Sequence, residues 1–439
     1  MTVYRLLRGW AAVHDAGPWE AGGKAWNLAR LARYGVPVPE GLVIPAPTSR
    51  QWLTDSGFTD RATRLDAADE HTCDQLQKAL RSRPLPAELL AELQAELAAR
   101  EWLTAPLAVR SSAPMEDSAK ASFAGIHLSR LNVVGPNALE PAIREIWASL
   151  WTPAAIAYRD RMGMAHADAA MAVVIMPLLP AVASGIAFTR DPHSGRDDRL
   201  VIHAQWGFAE TLVGGQAEGD EIVLTEEPED DRLTLFSYRI GSKALTTGPS
   251  PGGGTHNIEP PLSQRTSAVL GEPETLELGE LVRDAALALN FAEPAYDVEW
   301  VWDGDRFWLV QARPITTAGR NTYPALAAQP DIWSRGNTCE VLPEPLSAID
   351  WCNSRRMVNA LLEQGYKLAG YPLQPGVQRA GLFEGRLYLN AALLQWEAYD
   401  ALGMEPSAMN KLMGGHPPEI AVPAAHWRDR LARLRRIVR

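Results

Sequence analysis

Four polar side chains recur along one short stretch of the chain, residues 296–316, whose sequence YDVEWVWDGDRFWLVQARPIT is typical of a β-hairpin. Taking Asp303–Gly304–Asp305 as a three-residue loop makes Trp302 the cross-strand partner of Arg306. Because side chains alternate between the faces of a strand, this register predicts one polar face, made of Asp297, Glu299, Gln311 and Arg313. It predicts an apolar opposite face made of Val298, Trp300, Trp308, Val310 and Ala312.

The polar face of this hairpin has two interpretations. It can face water on a half-buried strand pair, which is the common situation for an antiparallel hairpin. Alternatively, a carboxylate and an amide oxygen hold Mg²⁺ while the neighbouring arginine binds a phosphate. The alternation of residue types is compatible with both.

Two other segments contain residues that could contact phosphates. In GGKAWNLA, Gly22 and Gly23 allow close backbone approach, and Lys24 lies at a predicted helix start, where anions are favoured. In AVRSSAPMEDSAKASFAG, Arg110 precedes a run of small residues that ends at Gly125, and backbone N–H groups of such a loop can bind phosphates. Taken singly, the first segment favours a structural turn, and the second is equally typical of a surface loop.

The composition limits the classes of function. A chain of 439 residues is long enough for two or three domains. Its net charge of −11 argues against nucleic-acid binding, which requires an excess of Lys and Arg. The three cysteines, Cys73, Cys339 and Cys352, lie far apart without metal-ligand spacing, which favours a reducing cytoplasm over a disulfide framework. The first residues contain no apolar stretch typical of a signal peptide, so a cytoplasmic protein is expected.

One uncharged stretch, residues 169–188, is about as long as a membrane span. Pro177, Pro180 and Gly185 interrupt it, and β-branched residues lie near both ends. Two short buried strands joined by a proline-containing turn therefore explain it better than a membrane helix, and no membrane partner is expected.

Five segments occur in a fixed order along the chain: GGKAWNLA, AVRSSAPMEDSAKASFAG, SGIAFTRDP, WGFAETLVGGQ and DVEWVWDGDRFWLVQARPIT. Together they resemble the nucleotide-binding domain shared by phosphoenolpyruvate synthases, pyruvate phosphate dikinases and rifampicin phosphotransferases. The resemblance covers residues 1–318. It implies an α/β fold of the ATP-grasp type, with ATP and Mg²⁺ as ligands.

The resemblance also implies a role for individual residues. The catalytic residues that it implies, all contacting phosphates, are Lys24, Arg110 and Arg313. The further ligand-binding residues that it implies are Gly125 in the phosphate loop, Met176 and Leu178 beside adenine, and Glu299 and Gln311 on the metal. Met176 stands where the family usually has a glutamine, and WGFAE stands where it usually has WGLGE.

Three parts of the chain are expected from this resemblance. Residues 1–190 and 191–318 would be the two subdomains of the ATP-grasp fold, with the nucleotide between them. Residues 319–439 would begin a mostly helical, acceptor-binding domain, because WSRGNTCEVLPEPLSAIDW resembles the start of that domain in rifampicin-phosphotransferase-like proteins. The alternative is an unrelated small helical extension.

Enzymes of this family pass a phosphoryl group through a histidine in a Gly-Gly-x-x-Ser-His context. None of the nine histidines here stands in that context; His256 is interpreted as structural or solvent-exposed, and His416 as structural. The resemblance thus implies the ATP-binding part of a dikinase-type phosphotransferase, which cleaves ATP to AMP and phosphate. It implies a histidine domain supplied in trans or lost by truncation, and an unidentified small-molecule acceptor. The alternatives are a non-catalytic ATP-binding regulatory module and an ATP-grasp ligase that makes an acyl phosphate.

Overall fold

The fold is described by a computed structural model over residues 5–114, 117–118, 121–122, 128–226, 232–316 and 319–424. Within these residues the chain alternates helices with antiparallel sheets, so the expected mixed α/β class is confirmed. Two larger sheets follow one another along the chain, and a smaller sheet lies after residue 330.

The first sheet and its helices use the chain up to residue 177. The strands are β1 (Leu7–Arg8), β2 (Leu42–Ile44), β3 (Pro106–Ser112), β4 (Asp117–Ser118), β5 (Ala121–Ser122), β6 (Ser129–Val134) and β7 (Ala172–Pro177). The helices are α1 (Gly9–Ala21), α2 (Gly23–Arg33), α3 (Ala46–Asp55), α4 (Thr59–Thr63), α5 (Glu70–Ser82), α6 (Ala87–Ala99), α7 (Pro136–Ser149) and α8 (Pro153–Arg161), followed by a 3-10 helix, His166–Asp168. The sheet order is β1-β2-β7-β3-β6, and β4 pairs with β5.

The second sheet begins at residue 183. Its region contains β8 (Ala183–Phe188), β9 (Arg199–Trp206), β10 (Asp220–Glu226), β11 (Leu233–Arg239), β12 (Thr246–Pro249), β13 (Thr255–Ile258), β14 (Tyr296–Trp302) and β15 (Phe307–Pro314). The helices are α9 (Glu210–Val213), α10 (Leu262–Thr266) and α11 (Glu272–Leu289). The sheet order is β11-β10-β9-β8-β14-β15. Leu278, Val282 and Ala286 of α11 are buried in the core of this region because they recur at helical spacing on one face.

The apolar stretch 169–188 forms strands of both larger sheets. β7 pairs with β3 in the first sheet, and β8 pairs with β9 and β14 in the second. The two-strand interpretation is therefore confirmed. In the described part of the chain, no helix is both long and apolar enough to cross a membrane. β8 belongs to the second sheet although the predicted first subdomain runs to residue 190, and the division into subdomains itself stays a prediction.

Residues 319–424 combine helices with a small sheet that the sequence did not suggest, and the assignment of this region to an acceptor-binding domain stays a prediction. After a 3-10 helix, Pro324–Leu326, it has β16 (Trp333–Ser334), β17 (Ala380–Phe383) and β18 (Arg386–Asn390), in the order β16-β18-β17. Its helices are α12 (Thr338–Val341), α13 (Ala348–Leu368), α14 (Ala391–Leu402) and α15 (Pro406–Met413). Ser347 and Asp350 form a capping box that starts α13.

The predicted register of the β14–β15 hairpin is wrong. Trp302 pairs with Phe307, so the loop has four residues, and a bulge at Val310 makes Glu299 the partner of Gln311. The bulge restores the polar face on the far side of Val310 but changes the apolar face near the loop. Phe307 and Leu309 are buried, whereas Trp308 is only half-buried.

Candidate functional site

A cavity of about 670 Å³ lies between the two larger sheets. Its walls include residues of β3, β6 and β7 on one side and of β8, β14 and β15 on the other. Seven of the predicted site residues line it: Lys24, Arg110, Met176, Leu178, Glu299, Gln311 and Arg313. The eighth, Gly125, lies outside the described residues. Segments that are almost 290 residues apart in sequence therefore contribute to one cavity.

Lys24 is placed by the docking of α2 on the end of β3. Gly22 has a positive φ of 78°, and a Cβ atom there would lie 2.1 Å from the carbonyl oxygen of Ser112. The N–H of Gly23 donates to the carbonyl of Ala113 at 3.0 Å, and the N–H of Ala25 donates to Ser112 Oγ at 3.1 Å. These two amides of the helix start are thus engaged with β3, and the positive charge at this wall comes from the Lys24 side chain.

Arg110 reaches from β3 to the hairpin of the second sheet. Its Nη1 donates to the carbonyl oxygen of Val310 at 3.0 Å. Its Nη2 donates to Gln311 Oε1 at 3.1 Å and forms an ion pair with Oε2 of Glu299. The two oxygens that the sequence predicts as metal ligands therefore converge on a single cationic nitrogen.

The charges in the cavity keep Glu299 ionised. Burial alone would raise the pKa of its carboxyl, but the charge and hydrogen bond of Arg110, helped by Lys24 and Arg313, lower that pKa below its usual value. An ionised carboxylate beside the buried amide of Gln311, which is only 4% exposed, is a donor set suited to a hard cation.

Arg313 is held by Asp297 on the same face of the hairpin. Its Nε lies 2.8 Å and 2.7 Å from the two carboxylate oxygens of Asp297. Burial raises the pKa of Asp297 to about 6, although Arg313 and Lys24 act in the opposite direction. The pair holds the guanidinium at the cavity wall, where Arg313 can reach an anionic ligand.

The wall formed by the end of β7 is mainly apolar. Met176 is 2% exposed and packs in the core between the sheet and α2, while Pro177, Leu178 and Leu179 border the cavity. The N–H of Leu178 donates to the carbonyl of Pro106 at 2.9 Å, so this amide is already engaged. The flat, apolar face of a ring such as a nucleobase fits this wall.

Two buried donors in the cavity wall lack a hydrogen-bond acceptor among the described residues: Arg110 Nε and Trp300 Nε1. Buried donors without acceptors are rare in native proteins, so these two N–H groups are available to a bound water or ligand. In the described part of the chain, no group of three or more His, Cys, Asp or Glu side chains could hold a metal. Glu299 and Gln311 would therefore leave most positions on Mg²⁺ to water and phosphate oxygens, as is usual for this ion.

The cavity contains further residues that were not predicted as site residues: Pro39, Ser129, Ser184, Phe208, Glu210 and Trp300. Phe208 and Glu210 belong to WGFAE, which is part of one of the five segments of the resemblance. The place of that segment in the ordered series could have identified both residues as site candidates. His256 and His416 are both exposed, and Nδ1 of His256 lies 3.0 Å from Ser250 Oγ.

Comparison with known proteins places residues 19–330 in the family model described as "Pyruvate phosphate dikinase, AMP/ATP-binding domain". A probable phosphoenolpyruvate synthase of Archaeoglobus fulgidus is 33% identical, over 67% of this chain and 40% of its own length. A rifampicin phosphotransferase of Streptomyces sp is 36% identical, over 71% of this chain and 36% of its own length. The prodigiosin synthesizing transferase PigC of Serratia marcescens is 33% identical, over 69% of this chain and 32% of its own length.

The matched region thus spans less than half of each of these three relatives. Among solved structures, the chain is similar to acetyl-coenzyme A synthetase 1 of Ca. Korarchaeum cryptofilum, at 12% identity and a TM-score of 0.27. That alignment covers 55% of this chain and 90% of the other, and a likeness at this level says nothing about function.

Proposed function

Because the chain belongs to the pyruvate phosphate dikinase family through its AMP/ATP-binding domain, we propose that its cavity binds Mg·ATP for a dikinase-type phosphotransferase. The observation that supports this proposal is the meeting of Lys24, Arg110, Arg313, Glu299 and Gln311 in one cavity. Three cationic side chains beside one carboxylate and one amide suit a polyphosphate carrying a divalent cation.

The chain's own residues would contribute binding, orientation and charge. Lys24, Arg110 and Arg313 would neutralise the phosphate oxygens, and Nε of Arg110, which has no acceptor among the described residues, is a ready donor for one of them. Glu299 and Gln311 would hold Mg²⁺, which supplies further positive charge to the phosphates when bound. Phosphoryl transfer is catalysed mainly by such positioning and neutralisation.

In the proposed reaction, the β-phosphoryl group of ATP passes to the nitrogen of a histidine, AMP leaves, and water takes up the γ-phosphoryl group as inorganic phosphate. The histidine would belong to a carrier domain, because none of the nine histidines of this sequence stands in the family's motif. The carrier would then pass the phosphoryl group to a small-molecule acceptor whose identity the cavity does not encode.

One observation favours a second candidate, a nucleotide-binding module that regulates a partner without catalysis. It is the same lack of a motif histidine in this sequence. The products separate the candidates when a matching histidine domain is added. AMP indicates the dikinase, ADP indicates an ATP-grasp ligase, and binding without turnover indicates the regulatory module.

The first prediction is that this chain binds Mg·ATP. Isothermal titration calorimetry with a non-hydrolysable ATP analogue and Mg²⁺ should give saturable heat, because the cavity presents both phosphate-binding cations and metal ligands. Lys24→Met should weaken this binding, whereas Lys78→Met on α5, whose side chain does not line the cavity, is the matched control. Absence of heat and of any thermal shift at millimolar ligand would refute the proposed function.

A further inference from the structure

Arg110 occupies the place that a metal ion would need. Its Nη2 contacts both Glu299 and Gln311, the oxygen pair to which Mg²⁺ is assigned in the proposed function. Mg²⁺ binds its ligands at about 2.0–2.1 Å, so an ion in contact with both oxygens would lie against this guanidinium nitrogen. Like charges at that separation repel strongly in a partly buried site. The pairing seen here and metal binding through these two oxygens therefore compete with each other.

We propose that Arg110 is a built-in placeholder cation, which occupies Glu299 and Gln311 until Mg·ATP binds and then moves its hydrogen bonds to phosphate. The inference rests on the proposed function of the cavity and adds a rule about binding order. Free Mg²⁺ binds poorly because it must displace Arg110 without offering that arginine another partner. The nucleotide complex supplies the compensation, since its phosphates accept the released N–H groups.

Two features of the structure suit Arg110 to this exchange. Its Nη1 donates to the carbonyl of Val310, which is the bulged residue of β15 and has no partner in β14. That contact involves neither predicted metal ligand, so it can keep the guanidinium in place while Nη2 changes partner. In addition, Nε is buried without an acceptor among the described residues, so this donor is available to a bound phosphate.

Arg313 provides a matched control for Arg110, because the two arginines share a charge and a cavity but differ in their partners. It has the same charge and lines the same cavity, but its Nε is paired with Asp297 rather than with Glu299 or Gln311. Removing Arg313 lowers the positive charge of the cavity without vacating the metal ligands. Removing Arg110 does both.

The test measures binding of Mn²⁺, a spectroscopic substitute for Mg²⁺, in the absence of nucleotide. Free Mn²⁺ is counted by electron paramagnetic resonance with the full chain, for wild type and for Arg110→Ala, Arg110→Met and Arg313→Ala. We expect both Arg110 variants to bind Mn²⁺ alone about tenfold or more tightly than wild type, and Arg313→Ala to gain much less. Adding Glu299→Gln to Arg110→Ala should abolish the gain.

The outcomes separate this inference from the proposed function. Equal Mn²⁺ affinity in wild type and the folded Arg110 variants, or equal gains from Arg110→Ala and Arg313→Ala, would overturn the placeholder role. Arg110→Met keeps most of the apolar stem of the side chain, so it remains usable if Arg110→Ala does not fold. The Mn²⁺ assay contains no nucleotide, whereas loss of the proposed function would appear as the absence of ATP-analogue binding to wild type.

Discussion

Arg313 lies on the face of the hairpin that lines the cavity, so its removal should weaken binding of the distal phosphates of ATP. A charge-assisted hydrogen bond to phosphate contributes about 1.5–3 kcal/mol, so Arg313→Ala should lower ATP affinity roughly 10- to 150-fold. AMP affinity should change little if the arginine faces the distal phosphates. Calorimetric titration of the variant with an ATP analogue and with AMP measures both values.

Arg306→Ala is the control for Arg313→Ala. Arg306 lies in the loop of the same hairpin, is exposed, and stacks over the ring of Trp308 with its guanidinium carbon 3.9 Å from the ring centre. It does not line the cavity, so its removal should leave ATP affinity unchanged. Equal losses of ATP and AMP affinity in Arg313→Ala would place that arginine away from the distal phosphates.

At the scale of single residues, the sequence predicted which side chains meet but not how they pair. Five of the predicted residues that line the cavity, Lys24, Arg110, Glu299, Gln311 and Arg313, were predicted through segments whose order along the chain carries information. The contact of Arg110 with Glu299 joins residues 189 positions apart in sequence and depends on how the two sheets face each other. No local pattern encodes that geometry. Likewise, the engagement of the Leu178 amide with Pro106 is a product of strand pairing.

At the scale of elements, the hairpin gives a matched pair of tryptophans. Trp300 is 1% exposed and contacts Phe307 in the core, with ring centres 5.6 Å apart. Trp308 is half-buried, and its indole N–H donates to Asp303 at 2.7 Å. Trp300→Ala should therefore cost about 3–5 kcal/mol of unfolding free energy, and Trp308→Ala only about 1 kcal/mol. Urea unfolding of the two variants checks this, and equal costs would contradict the burial difference.

The apolar face of this hairpin was only partly predicted, and the bulge is the reason. Strict alternation from an assumed three-residue loop puts Trp308 and Val310 in the core, but Phe307 and Leu309 are there instead. An extra residue in one strand reverses which side chains face the core. The polar face was predicted correctly because the four-residue loop and the bulge each shift the pairing by one residue, and a total shift of two leaves the same side chains on that face beyond Val310.

His203 on β9 is expected to make the stability of the protein depend on pH. Burial lowers the pKa of this histidine below its ordinary value of 6.5. As pH falls through that ordinary value, this histidine becomes protonated in the unfolded chain but stays neutral in the folded chain. The free energy of unfolding therefore decreases. From pH 7.5 to pH 5, wild type should lose more unfolding free energy than His203→Gln. A constant difference between the two proteins over that pH range would contradict this expectation.

At the scale of the whole molecule, residues 319–424 do not line the cavity. Every described residue that lines it precedes Pro314. Residues 319–424 instead pack against the region of the second sheet. There, Glu226 of β10 forms an ion pair with Arg356 of α13, and its Oε1 lies 3.6 Å from Nη1 of Arg283 in α11. Nucleotide binding is therefore expected to depend on residues up to 313, and the role of the third region in acceptor binding stays a prediction.

The last prediction concerns turnover by this chain alone. Phosphoryl transfer needs a nucleophile in line with the bond that breaks, within about 3–3.5 Å of the phosphorus atom. No cavity-lining residue among those described is a histidine, and His256 and His416 are exposed. Water could attack instead, but a cavity that encloses the phosphates disfavours that reaction. We therefore expect negligible AMP formation and no phosphohistidine when the chain is incubated with ATP labelled at the β-phosphorus.

Addition of a separately expressed histidine domain from a matching relative should restore AMP formation, and the same addition to Arg110→Ala should not. Acid-labile label on His256 or His416 of the chain by itself would show instead that it carries its own phosphoryl acceptor.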